Sequence, residues 1–68
     1  MEQIRLLRNG EEYVVADELG KWGILQRMPE RYYPLLDRYE RSLEWIYPAS
    51  LSSKRKAILK LNEMLASC

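Results

Sequence analysis

The chain has 68 residues, of which 47% are hydrophobic and 31% charged, and its eleven Lys and Arg against ten Asp and Glu leave a net charge of +1. This length has room for a single small domain over residues 1–68 with one modest core. The apolar content excludes a disordered chain, and the balanced charge gives no general reason to expect nucleic acid or an anionic membrane as a partner.

The N-terminal segment predicts a β-hairpin over residues 3–16. Asn9-Gly10 stands between two apolar segments, and this dipeptide favours the type I′ turn, which needs positive φ at both central residues. Residues 13–15 are β-branched or aromatic and support the second strand, whereas the leucines before the turn would suit a helix equally well. An all-helical interpretation therefore stays open.

Residues 17–28 fit two local structures. Asp17 can cap a short helix, or the segment can turn and lead into a third strand over residues 21–26. Gly20 and Gly23 lie within four residues, and each costs about 1 kcal/mol inside a helix. A short helical turn or a β-meander therefore fits better than a sustained helix, and both glycines are expected to be turn residues.

The next segment predicts an amphipathic helix over residues 34–47. Pro34 suits the first helical position, and Pro48 forces a stop. Charged residues fall outside the apolar arc of the helical wheel. That arc contains Tyr32, Leu35, Leu36, Tyr39, Leu43, Ile46 and Tyr47.

A second amphipathic helix is predicted over residues 52–66, with Ser52 or Ser53 as its N-cap. The short connection between the two helices favours an antiparallel pair. The expected fold class is therefore α+β, with an N-terminal β-hairpin or three-stranded meander packed on a C-terminal antiparallel pair of helices, and a small all-α bundle as the alternative. The expected core contacts involve Leu36, Tyr39, Leu43, Ile58, Leu61 and Leu65.

The residue types needed for catalysis and metal binding are scarce. The chain has no His, and its one Cys is the terminal Cys68. No disulfide, metal site or cofactor is predicted, and the adjacent acidic residues are expected to be solvated, so the chain is not expected to be an enzyme. The lack of paired cysteines, secretory signal and membrane span predicts a cytoplasmic protein with no membrane partner.

Three cations at the start of the last helix are unusual, because the dipole of a helix favours anions at its N-terminus. Lys54, Arg55 and Lys56, with Lys60 one turn later, form a candidate contact for an anion or a nucleic acid. The simpler interpretation is a solvated face that pairs with nearby carboxylates.

Apolar residues on the charged side of the predicted helices form a second candidate site. Trp45 lies with Arg38 and Arg41, opposite the apolar arc, and Leu59 lies equally far from the centre of the last helix. Trp and Arg are common in interface hot spots. A protein interface is predicted here, with Trp45 as an ordinary core residue as the alternative.

These patterns favour a non-enzymatic protein–protein interaction module, such as a small inhibitor, adaptor or subunit, that presents a helical face. The partner is expected to be another protein or a second copy of the chain, giving a homo-oligomer. The alternative is a small DNA-binding regulator that uses the basic start of the last helix. The last helix offers only Asn62 as a base-reading amide, which weakens that alternative.

Overall fold

A computed structural model describes residues 2–67 of the chain. Four antiparallel strands form one sheet in the order β1-β2-β3-β6, and two short strands, β4 and β5, form a separate ribbon. One helix, α1, follows β6 at the C-terminal end of the described residues. The elements are β1 (Gln3–Arg8), β2 (Glu11–Glu18), β3 (Lys21–Arg27), β4 (Arg31–Tyr33), β5 (Arg38–Glu40), β6 (Leu43–Leu51) and α1 (Lys54–Ala66).

The predicted N-terminal hairpin is confirmed. β1 pairs with β2 in register from Gln3 to Arg8, and Asn9 and Gly10 have φ of 54° and 80°, as a type I′ turn requires. A second tight turn at Leu19-Gly20, with φ of 53° and 81°, leads into β3. The open choice for residues 17–28 is thus decided in favour of a third strand.

The predicted helix over residues 34–47 is wrong. This segment supplies the ribbon loop, β5 and the first half of β6. Pro34 begins the ribbon loop instead of a helix, and Pro48 lies within β6, which is an outer strand of the sheet where a missing N–H is tolerated. The fold class with two packed helices is therefore wrong, and so is the all-α alternative.

The last helix is confirmed in its position. Ser53 is its N-cap, and the Ser53 hydroxyl accepts a hydrogen bond from the Lys56 backbone N–H at 3.3 Å. α1 packs Leu61 against Tyr13 and Ile24 of the sheet, not against a second helix. Two predicted core residues are wrong, because Leu36 and Tyr39 are 53% and 65% exposed.

Gly23 is not a turn residue but lies inside β3. β6 carries extra residues opposite it, since the register shifts on both sides of Ile24. A Cβ placed on Gly23 would lie 2.7 Å from the backbone N of Ala49 and 2.7 Å from the backbone O of Tyr47. Gly23 therefore lets the backbone of β6 approach β3 closely, which is a recurrent use of glycine within a sheet.

Candidate protein-interaction site

A two-stranded arm, defined here as residues 29–41, extends from the β3–β6 end of the sheet. Its strands, β4 and β5, pair antiparallel with Tyr32 opposite Tyr39. A backbone hydrogen bond from Met28 N–H to the Ser42 carbonyl, at 2.8 Å, joins the base of the arm to the sheet. The arm is thus an extension of the two strands that already pair in the core.

Two guanidinium groups fix the base of the arm. Arg41 Nε donates to the Met28 carbonyl at 2.9 Å, and Arg27 Nη1 donates to the Arg41 carbonyl at 3.1 Å. The two acceptor carbonyls lie just after the end of β3 and just before the start of β6. Because the two side-chain donors bond to backbone carbonyls across the base of the arm, the bonds restrain the direction in which the arm leaves the sheet.

Contacts within the arm order its free end. The rings of Tyr32 and Tyr39 are 5.2 Å apart between centroids, tilted by 55°, which is a favourable geometry for an aromatic pair. The Tyr32 hydroxyl donates to Asp37 Oδ1 at 2.7 Å. This hydrogen bond, with a smaller effect of desolvation, raises the pKa of Tyr32. Asp37 itself has a φ of 51° and ends the loop.

The end of the arm exposes apolar side chains. Leu35 is fully exposed and Leu36 is 53% exposed, and the Tyr32–Tyr39 pair beside them is also open to solvent. Half of the large apolar residues that are exposed among residues 2–67 belong to this one short segment. The full set is Leu7, Leu19, Tyr32, Leu35, Leu36, Tyr39, Trp45 and Leu59.

The arm carries no net charge. Arginine and carboxylate side chains alternate along it, and Arg38 pairs with Glu40 at 2.6 Å. Its charged residues are Glu30, Arg31, Asp37, Arg38, Glu40 and Arg41. Charged side chains of both signs therefore accompany the exposed apolar residues of the arm.

The predicted interface residues do not form one strip. Arg38 lies on the arm, Arg41 holds the base of the arm, and Trp45 lies on β6 opposite Leu25 of β3. Trp45 is 42% exposed, whereas Leu59 is exposed on α1. These residues were grouped by their positions on predicted helices, and the helix over residues 34–47 is absent. An interface role for each of the four residues stays a prediction.

Sequence reasoning missed Leu35 and Leu36 as surface residues. They fall in the apolar arc of a helical wheel and were expected to be covered. A signal for the turn was present, since Pro34 and Asp37 bracket these leucines, and Pro and Asp are frequent turn residues. Tyrosines on both sides of the turn also favour strands over a helix.

The four cations of the candidate anion contact divide into two pairs. Lys54 pairs with Glu2 at 2.9 Å, and Lys60 is engaged by nearby groups on the helix and the sheet. Arg55 and Lys56 are exposed and form no ion pair with any of residues 2–67. The structure thus leaves two of the four cations available to an anion.

Neither a metal site nor a membrane-spanning helix is found in the described part of the chain. No cluster of three Cys, Asp or Glu side chains within residues 2–67 could hold a metal ion, and Cys68 lies outside these residues. α1, the helix of this region, is too short and too polar to cross a bilayer.

No protein-family model, curated protein or solved structure matches the chain.

Proposed function

We propose that the chain is a non-enzymatic protein–protein interaction module that inserts the end of its arm into an apolar cleft of another folded protein. The exposed Leu35 and Leu36 at the end of the arm are the observation that carries this proposal. An inhibitor, an adaptor and a subunit would all use such an element. A cytoplasmic location is part of the same proposal.

The shape of the molecule supports a contact at the arm. The radius of gyration is 13.2 Å, whereas a compact domain of this length has about 11 Å. The molecule measures 39 × 29 × 15 Å along its principal axes. An extended arm loses burial that a chain of this size needs, and covering the arm with a partner restores that burial.

The order within the arm supports tight binding. Two hydrogen bonds close the loop, from Leu36 N–H to the Tyr33 carbonyl at 3.1 Å and from Asp37 N–H to the Pro34 carbonyl at 3.3 Å. Together with the tyrosine pair they present the two leucines in one conformation. Preorganisation reduces the entropy lost on binding.

The charge balance of the arm favours a protein over other partners. Phosphates and anionic lipids attract clusters of unpaired cations, and the arm has none in excess. The alternative of a DNA-binding regulator depends on Arg55 and Lys56 alone, because Lys54 and Lys60 already have partners. We therefore favour an apolar cleft in a protein.

Mutation of the arm tests this proposal. Immobilised wild-type chain would be used to capture proteins from a native lysate, and a captured protein would be purified for titration. Leu35→Ser combined with Leu36→Ser should raise its Kd at least tenfold, since burial of each leucine contributes about 1.5–3 kcal/mol and each 1.4 kcal/mol is tenfold. Leu19→Ser, at an exposed leucine of the turn between β2 and β3, is the matched control and should bind like wild type.

Both variants must have the melting temperature of wild type, so that weaker binding cannot result from unfolding. Unchanged affinity in the double arm variant would rule the proposal out. Capture of nucleic acid alone, abolished by Arg55→Ala with Lys56→Ala, would instead support the DNA-binding alternative.

A further inference from the structure

The two edges of the main sheet differ in how well they are protected. β6 carries Pro48 and shifts of register, both of which hinder the addition of another strand. β1 pairs with β2 over its whole length without a shift and contains no proline. Among the described residues, no element packs along the outer side of β1. Long, regular and uncovered edges are templates for strand pairing.

The turn at Asn9-Gly10 determines which backbone groups of β1 face outward. In a two-residue hairpin the closing pair, here Arg8 with Glu11, is hydrogen-bonded, and the pairs then alternate along the strands. The N–H and carbonyl groups of Arg5 and Leu7 therefore point away from β2. In agreement, the Leu7 carbonyl accepts a hydrogen bond at 2.9 Å from the guanidinium of Arg8, an exposed contact that a partner strand can replace.

We infer that β1 pairs antiparallel with β1 of a second copy, with Leu6 opposite Leu6, so that the two four-stranded sheets become one continuous sheet. In this register Arg5 of each copy exchanges both backbone hydrogen bonds with Leu7 of the other. The alternative register centred on Arg5 places like charges directly opposite each other, which is destabilising. The register centred on Leu7 extends into the turn and shortens the pairing.

A carboxylate beside β1 supports this register. Glu12 lies opposite Leu7 on β2, and its Oε2 is buried without a hydrogen bond, at 3.6 Å from Arg5 Nε and 3.5 Å from Arg27 Nη2. It lines a depression of about 420 Å³ together with Arg5, Leu6 and Leu7. Arg5 of the second copy would lie directly beyond Leu7, two strand spacings or about 10 Å from Glu12, and its long side chain can extend over Leu7 toward this carboxylate.

The dimer leaves the proposed function intact and adds to it. β1 and the strands that bear the arm lie on opposite sides of β2, so pairing through β1 covers neither arm. A dimer of this kind presents two arm ends, and a partner with two clefts would bind it with avidity. The inference does not depend on the arm binding a protein.

Sedimentation velocity over about 1 μM to 1 mM, the range in which weak strand pairing is populated, tests the inference. A reductant is included because of Cys68. Wild type should change from one copy to two as concentration rises. Leu7→Pro removes an outward N–H and no hydrogen bond to β2, so it should weaken the dimer at least tenfold while the circular dichroism spectrum stays that of the folded chain.

A charge variant keeps the test valid where Leu7→Pro fails to fold. Leu7→Lys places a cation opposite Arg5 of the second copy and should also weaken the dimer at least tenfold, whereas Leu19→Lys, the same change in the exposed turn between β2 and β3, should not. A chain that stays monomeric at the highest concentration would overturn the inference. So would dimerisation that survives both Leu7 variants, or dimerisation that is lost with Leu35→Ser and Leu36→Ser.

Discussion

Replacing Leu61 with alanine should lower the free energy of unfolding by about 2–5 kcal/mol, the range for removing a fully buried leucine. Leu61 is fully buried between α1 and the sheet, against Tyr13 and Ile24, and is one of the largest side chains in the core. A domain of this length has a total stability of about 3–10 kcal/mol. The variant should therefore be largely unfolded at temperatures where wild type is folded.

Leu59→Ala provides the matched control, two residues away on the same helix. Leu59 is 57% exposed, so its truncation should change stability by no more than about 0.5 kcal/mol. Urea titrations of both variants, followed by circular dichroism, measure the difference. Equal midpoints for the two variants would show that α1 does not pack through Leu61.

Gly23→Ala is expected to be comparably damaging, at about 3 kcal/mol, the upper end of the range for overpacking. The new methyl group would lie 2.7 Å from Ala49 N and Tyr47 O, and 2.8 Å from Pro48 C. All three are backbone atoms of a paired strand and cannot rotate away. The change should separate the second half of β6 from β3.

Gly20→Ala separates this packing effect from the general effect of losing a glycine. Gly20 has a φ of 81° and nothing within 4 Å of the added Cβ. Its replacement by alanine should therefore lower the free energy of unfolding only by the strain of a left-handed alanine, about 1–2 kcal/mol. Thermal unfolding gives the melting temperature of each variant. A lower melting temperature for Gly20→Ala than for Gly23→Ala would contradict the close approach of β6 to β3.

Local sequence signals predicted the elements that depend mainly on residues close together in the chain. Asn9-Gly10 predicts its own hairpin because both residues readily adopt positive φ, and Ser53 predicts the start of α1 because its hydroxyl can accept from the helix N-terminus. The turn at Leu19-Gly20 could not be recognised in the same way. Leucine rarely adopts a φ of 53°, and this conformation is imposed by the pairing of β2 with β3.

The error over residues 34–47 has a physical cause beyond the segment itself. Leucine and tyrosine recur there at a spacing that fits one helical face, but β3 has a free edge that requires a partner strand. β6 supplies it, and pairing along β3 satisfies backbone groups that a separate helix would leave exposed. Tertiary pairing thus overrides the local pattern.

The predicted interface depended on the wrong helix over residues 34–47. Arg38, Arg41 and Trp45 were joined by helical geometry, and in the sheet they lie on the arm, at its base and on β6. Two side chains expected in the core, Leu36 and Tyr39, are instead exposed on the arm. The same apolar spacing in a sequence is compatible with residues that are buried in the core and with residues that are exposed for contact with another molecule.

Nuclear magnetic resonance of the free chain tests the central claim, that an ordered two-stranded arm holds Leu35 and Leu36 exposed, most directly. The account predicts strand-type backbone chemical shifts for residues 31–33 and 38–40, together with cross-strand nuclear Overhauser effects between the rings of Tyr32 and Tyr39. Continuous helical shifts from residue 34 to residue 47 would contradict it, because that helix would remove the arm and bury Leu36.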